Sequence, residues 1–250
     1  MSGHSKWATI KHKKAATDAK RGKTFTRLIR EITMAARGGG GDPDANPRLR
    51  AAILSAKAEN MPADNIKRAV QRGTGELPGV NYEEVSFEAY GPHGVALIVD
   101  VTTDNRNRTV SEIRHLFSKH GGSLGETGCV AWMFSKRGTV TIPKQSATED
   151  DLLAIVLDAG AEDIRDADEQ WEIMTPPEAT EAVGQALKDA GIEAASSEVG
   201  MVPQNYVKLD GHKAQQMIKL LDALEEHDDV QQVYSNFDFD AAELEQVSDE

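Results

Sequence analysis

Residues 138–203 read GTVTIPKQSATEDDLLAIVLDAGAEDIRDADEQWEIMTPPEATEAVGQALKDAGIEAASSEVGMVP, and the periodicity of this stretch decides the fold. It predicts a strand over 139–142, a helix over 149–159, strands over 163–166 and 170–175, a helix over 178–190 and a strand over 194–201. That order, β-α-β-β-α-β, is the ferredoxin-like one and is complete in itself. A strand at 206–209, a helix at 212–227 and a strand at 230–234 are then left without partners. They complete a second β-α-β-β-α-β only if joined to elements upstream of residue 138: a strand at 95–102, a helix, and a strand at 130–134. The stretch 138–203 is therefore expected to be inserted into a discontinuous domain made of 78–137 and 204–238.

Upstream, 85–90 and 95–102 form a hairpin signal about the turn Gly91-Pro92-His93-Gly94. The helix that follows is expected to start at a capping box, Thr109 to Glu112, with Val110, Ile113, Leu116 and Phe117 as its apolar face and Gly121-Gly122 as its stop. Residues 73–79 read as a linker, and before them lies a helical domain, residues 1–77. Over 15–37, Phe25, Leu28, Ile29, Ile32 and Ala36 share one face of a helix, while Lys20, Lys23, Arg27, Arg30 and Arg37 fall on the other as a cationic ridge. A second helix opens at Asn46-Pro47, and a third opens at Pro62 and stops at Gly73, expected as a left-handed C-terminal residue. The fold class is α+β: an N-terminal three-helix domain plus two ferredoxin-like domains, one inserted into the other. Residues 239–250 are acidic and expected to be a disordered tail.

The 250 residues carry a net charge of -13, but unevenly. Residues 1–75 hold 16 Lys/Arg against 6 Asp/Glu, and the remainder 12 against 35. The basic end should meet a polyanion first. The longest apolar run, 95–99, is far too short to span a bilayer, so no membrane partner is expected. A single cysteine, Cys129, excludes an internal disulfide and any C-x-x-C site, which suits a reducing compartment, and the expected location is the cytoplasm.

Lys6, Trp7, Lys11, His12, Lys13 and Lys14 join clustered cations to one aromatic ring, a combination that contacts phosphates and stacks a base. With Lys20, Arg21, Lys23, Arg27 and Arg30 downstream they are the first candidate nucleic-acid contacts. Asn105, Arg106 and Arg108, in the stretch 104–109 between a strand and a helix, are the second. Gly22-Lys23-Thr24 imitates the end of a phosphate-binding P-loop, but Thr17 stands where the first glycine belongs and no apolar strand precedes it. The seven histidines show no metal-ligand spacing, no nucleophile–base constellation stands out, and Glu225, Glu226, Asp228 and Asp229 read as a solvated acidic turn. No enzyme activity, catalytic residue, metal, cofactor or small-molecule substrate is expected.

Several of these motifs strongly resemble the YebC family: Gly3-His4-Ser5-Lys6-Trp7, the run from Ile10 to Lys23, Asp42-Pro43, Asn46-Pro47-Arg48-Leu49-Arg50, Asn60-Met61-Pro62 and Arg72-Gly73-Thr74-Gly75. So do Tyr90-Gly91-Pro92 and the run from Thr103 to Thr109. The resemblance implies a three-domain protein with a helical N-terminal domain and two ferredoxin-like modules. It also implies a probable DNA-binding transcriptional regulator, or alternatively a translation factor on the ribosome that binds ribosomal or transfer RNA and eases synthesis of proline-rich stretches. The residues leave these two open: the first helix offers many Lys and Arg but few Asn or Gln base readers, which favours backbone contact.

Overall fold

The computed structural model describes residues 18–167 and 169–240, with side chains from residue 22 onward; the tail expected to be disordered lies outside them from residue 241. Three helices come first: α1 (Asp18–Gly39), α2 (Pro47–Ala58) and α3 (Ala63–Gly73). Ile32, Ala35, Ala36, Leu49, Ala52, Ala56, Met61, Ile66 and Ala69 are the buried residues of their core. The alanines let the helices approach closely, and Gly73 shows how closely. A Cβ there would lie 2.4 Å from the carbonyl oxygen of Thr33 and 2.7 Å from Cβ of Ala36. Gly73 is thus a packing residue inside α3, and the left-handed conformation expected of it belongs to Gly75, at φ +82°. Asn46 caps α2 as expected: its Oδ1 accepts from the Leu49 amide at 3.1 Å, and its Nδ2 donates to the Ala35 carbonyl at 2.8 Å, tying the cap to α1.

Next come β1 (Glu83–Tyr90), β2 (Ala96–Thr103), α4 (Arg106–Lys119) and β3 (Ser123–Leu124). The chain then runs through β4 (Phe134–Pro143), α5 (Glu149–Val156), β5 (Asp163–Ala167), β6 (Gln170–Thr175), α6 (Thr180–Asp189) and β7 (Ser196–Pro203). It ends with β8 (Val207–Leu209), α7 (Gly211–Glu225), β9 (Val230–Ser235) and β10 (Phe237–Phe239). The class is α+β.

One antiparallel sheet has the order β5-β6-β4-β7, the arrangement a β-α-β-β-α-β chain adopts when its first and third strands lie at the centre. Val140, Ile142 and Ile173 of this sheet pack on Leu152, Val156, Val183 and Leu187 of α5 and α6. The other sheet has the order β3-β1-β2-β9 and so takes strands from both sides of the inserted stretch. Leu97, Val99 and Val101 of β2 pack on Ile113 and Phe117 of α4 and on Met217, Leu221 and Leu224 of α7. The alternate residues Ala96 and Ile98 face the opposite side, against Val130 and Phe134, which explains a strand apolar on both faces.

This second sheet departs from the expected order in three places. β8 pairs in parallel with β10 and stays out of the four-stranded sheet, whose centre is taken by the β1–β2 hairpin. Residues 130–133, expected as strand, make a short 3-10 turn, because the Glu88 carboxylate gathers the amides of Gly128, Val130 and Ala131 at 2.6–2.7 Å. Finally, β4 starts at Phe134, so the expected boundary between 137 and 138 falls inside a strand. β4 and β7 run side by side from Phe134↔Pro203 to Thr141↔Ser196, forming a paired stem into the inserted stretch.

Candidate nucleic-acid interface

An α-helix ends with carbonyls that lack intrahelical donors and carry the negative end of its dipole. α7 ends in this way at Glu225, and α1 supplies a donor there and further donors to the strands and turn nearby. Lys23 Nζ donates to the Glu226 carbonyl at 2.8 Å, and Arg27 Nε donates to the Val230 carbonyl at 2.9 Å. Arg30 Nη1 donates to the Thr102 carbonyl at 3.3 Å and to Asp229 Oδ1 at 2.9 Å, while its guanidinium lies 5.4 Å from the centre of the Tyr82 ring. Burial pulls the Arg27 guanidinium below its ordinary value, against the opposing charge of Glu225. The expected ridge is therefore partly turned inward: Arg30 keeps only 13% of its side chain exposed.

Asp229 is the hub of this junction. It was expected in a solvated acidic turn, yet the structure buries it, with 2% of its surface exposed. Its Oδ2 accepts from Arg108 Nη2 and from the Thr109 hydroxyl, both at 2.6 Å. A relay of donors feeds it: the Asn105 amide to Thr103 Oγ1 at 2.9 Å, Thr103 to Thr109 at 2.7 Å, and Thr109 to the carboxylate. Burial alone would raise the Asp229 carboxyl. The bonds from Thr109 and Arg108, with the charges of Arg30 and Arg108, hold it below the ordinary carboxylate value.

The same network relocates the cap of α4. Asn105 is the N-cap, its Oδ1 accepting from the Arg108 amide at 3.1 Å, and Thr109 sits inside the first turn, buried and bonded to Asp229. Arg108, expected to face outward as a free cation, reaches Asp104 at 2.9 Å as well as Asp229. Arg106 is exposed and makes no ion pair among the described residues.

Of the other candidate contacts, Lys6, Trp7, Lys11, His12, Lys13 and Lys14 lie outside the described residues, and Lys20 and Arg21 are described only as backbone of α1. Elsewhere in the helical segment, Arg48 bridges Glu31 at 2.8 Å and Glu84 of β1, and Arg50 reaches Glu181 of α6 at 3.1 Å. Lys67, Arg68 and Arg72 of α3 are exposed. The residue that the sequence reading missed is Asp229. Its partners stand 120 and more positions away, so no local spacing pointed to it; the signal was the opposite charge of the two ends of the chain, which attract each other.

Among the described residues one trio could present metal ligands, Glu112, His227 and Asp229, with ligand atoms within 4.8 Å of one another. All three are already committed. Both Asp229 oxygens hold Arg or Thr donors, His227 Nδ1 accepts from the Asp229 amide at 3.1 Å, and its Nε2 faces Glu112 at 3.0 Å. Also among the described residues, no helix is long and apolar enough to cross a membrane.

Comparison with known proteins bears on the whole chain. Residues 5–76 match the family description "TACO1/YebC protein N-terminal domain", and residues 82–237 match "TACO1/YebC second and third domain". A probable transcriptional regulatory protein of Koribacter versatilis is 65% identical over 99% of this chain and 100% of its own. One of Acidobacterium capsulatum is 64% identical over 97% and 98%. The crystal structure of a conserved hypothetical protein from Aquifex aeolicus, 49% identical, superposes with a TM-score of 0.83 over 94% of this chain and 97% of that one. Two family descriptions matched in order along the chain, with end-to-end relatives above 60% identity, make this chain a member of the TACO1/YebC family.

Proposed function

We propose that this chain is a nucleic-acid-binding regulator of gene expression acting at transcription, a cytoplasmic protein without catalytic chemistry. It is built of three domains: residues 1–77, residues 78–137 with 204–238, and residues 138–203. The observation that carries the reading is the end-to-end identity with proteins named probable transcriptional regulatory protein. Exposed cations on the helical domain and at Arg106 support a phosphate-bearing partner. The basic segment from Lys6 to Arg21 is proposed to make the first contact.

One observation favours the second reading, a ribosome-associated translation factor contacting RNA. Arg27 and Arg30 are engaged in the domain junction, so α1 offers fewer side chains to a DNA major groove than its sequence promises. Fractionation of lysate containing the tagged protein separates the two. Recovery with DNA that is lost on DNase treatment is the expected result. Recovery with ribosomes that is lost on RNase treatment would replace it by the second reading. Recovery with neither would overturn both.

A further inference from the structure

We infer that the seam between the two four-stranded sheets holds a binding site for an alkylammonium ion, built around Glu172, Glu198, Tyr206, Tyr234 and Ser235. The inference goes beyond the nucleic-acid reading and does not depend on it.

β7 is an edge strand of one sheet and β9 of the other, and a cavity of about 70 Å³ lies where they meet. On one side, Val140, Ile142 and Ile173 pack on α5 and α6, so their neighbours Thr139 in β4 and Glu172 in β6 face the seam. Glu198 of β7 stands directly across from Thr139. On the other side Gln232, Tyr234 and Ser235 of β9 close the cavity, together with Tyr206 from the connection after β7. Gly200 lets the two edges meet: a Cβ there would lie 2.9 Å from Cε1 of Tyr234.

The chemistry of the lining points to a cation. None of its residues is Lys or Arg, and both of its ionised groups are carboxylates. Glu172 is 8% exposed, and it and Asp229 are the only buried acids among the described residues. Arg165 stands opposite Glu172 on β5, but its guanidinium donates to Asp163 at 2.9 Å. Ser235 is 2% exposed, and its hydroxyl has no hydrogen-bond partner among the described residues, which leaves a buried oxygen able to accept from an N–H group. Burial pushes the phenols of Tyr206 and Tyr234 up. Glu172 acts in the same direction on the first, against Arg165, and Asp100, Glu198 and Glu31 do so on the second, so the field at the seam is negative.

Size and walls narrow the class. The cavity has room for about two water molecules, far less than a nucleotide needs. A hard divalent metal asks for about six oxygen ligands, whereas Met201, Val202 and Pro203 give this cavity an apolar wall. An ammonium head on a short methylene chain suits both parts, with N–H groups on the carboxylates and the Ser235 oxygen and methylenes on the apolar wall. A free amine and a lysine side chain of a protein partner share this chemistry.

The test titrates the isotope-labelled full chain with propylammonium chloride at constant ionic strength, followed by NMR, with n-propanol as the neutral isostere. Saturable shifts at the amides of Gly200, Gln232 and Ser235 are expected with propylammonium and not with propanol. Glu172→Gln with Glu198→Gln should weaken binding about tenfold or more, since both charged partners are lost. Ser235→Ala should weaken it several-fold yet melt close to the wild type, because an unpartnered hydroxyl contributes nothing to folding. Glu178→Gln with Glu193→Gln removes equal charge from exposed acids outside the cavity and should leave binding unchanged. Nα-acetyl-lysine methylamide separates the two sources: binding as tight as propylammonium or tighter assigns the site to a partner's lysine, and weaker binding assigns it to a free amine. Propanol binding as well as the ammonium, equal weakening by the control pair, or no saturable shift at the three amides would overturn the inference and leave the proposed function standing.

Discussion

A carboxylate taken out of water costs several kcal/mol unless donors replace the lost solvent. Asp229 receives a guanidinium on each oxygen and a hydroxyl as well, so its charge is retained where burial would otherwise neutralise it. Removing that charge leaves Arg30 nearly buried with a neutral partner. Asp229→Asn should therefore cost about 2–4 kcal/mol at pH 7, read by urea denaturation. The folded-state pKa of Asp229 is depressed, so its contribution is fully present above the unfolded value, about 4, and is lost as pH falls through the folded one. The gap between wild type and variant should accordingly narrow in denaturation repeated near pH 3. A gap that stays constant with pH would show that the loss comes from packing and not from charge.

α4 tests whether a local pattern locates a helix start. The Thr109 to Glu112 pattern fits a capping box, but Thr109 is drawn inward by Asp229, and Asn105, four residues earlier, caps the helix. The pattern that decides lies in a partner 120 positions away, which no window along the chain can contain. The same holds for residues 130–133, whose turn is set by Glu88 on another strand. The inserted sheet was legible because its strands, helices and turns are specified by their own periodicity, and its neighbours in space are its neighbours in sequence. At α4 this separates three polar residues at the start of the helix. Asn105→Ala should lower stability by about 1 kcal/mol through the lost cap. Arg108→Ala should lower it further, since it strips a donor from a buried carboxylate. Arg106→Ala should leave the melting temperature within about 1 °C while weakening nucleic-acid binding, because its side chain is exposed and makes no ion pair among the described residues. Equal stability losses at Arg106 and Arg108 would contradict this division.

At the scale of the molecule, the opposite charges of the two ends of the chain serve partly as mutual complement. Lys23, Arg27, Arg30, Arg48 and Arg50 each reach a carbonyl or carboxylate beyond residue 77, and the contacts fall on segments that pack with both four-stranded sheets. Composition could register the asymmetry but could not tell internal docking from attraction to an outside polyanion. The geometry splits the basic residues into those committed to docking and those left exposed, and the two sets should respond differently to mutation. Arg27→Ala with Arg30→Ala removes two anchors of α1 on the 225–230 turn while leaving the buried apolar clusters in place. The double variant should keep its helix and strand content by circular dichroism. Its three helices α1–α3 should swing away from the β3-β1-β2-β9 sheet, so that the radius of gyration rises in small-angle scattering and hydrogen exchange quickens at the start of α4 and at 225–230. The cores of the two sheets should keep their protection, since neither contains an atom of α1. Nucleic-acid affinity should fall little, because these two guanidiniums are already occupied in the folded chain. A variant with unaltered scattering but abolished binding would instead assign Arg27 and Arg30 to direct phosphate contact, and would mean that the junction opens when nucleic acid binds.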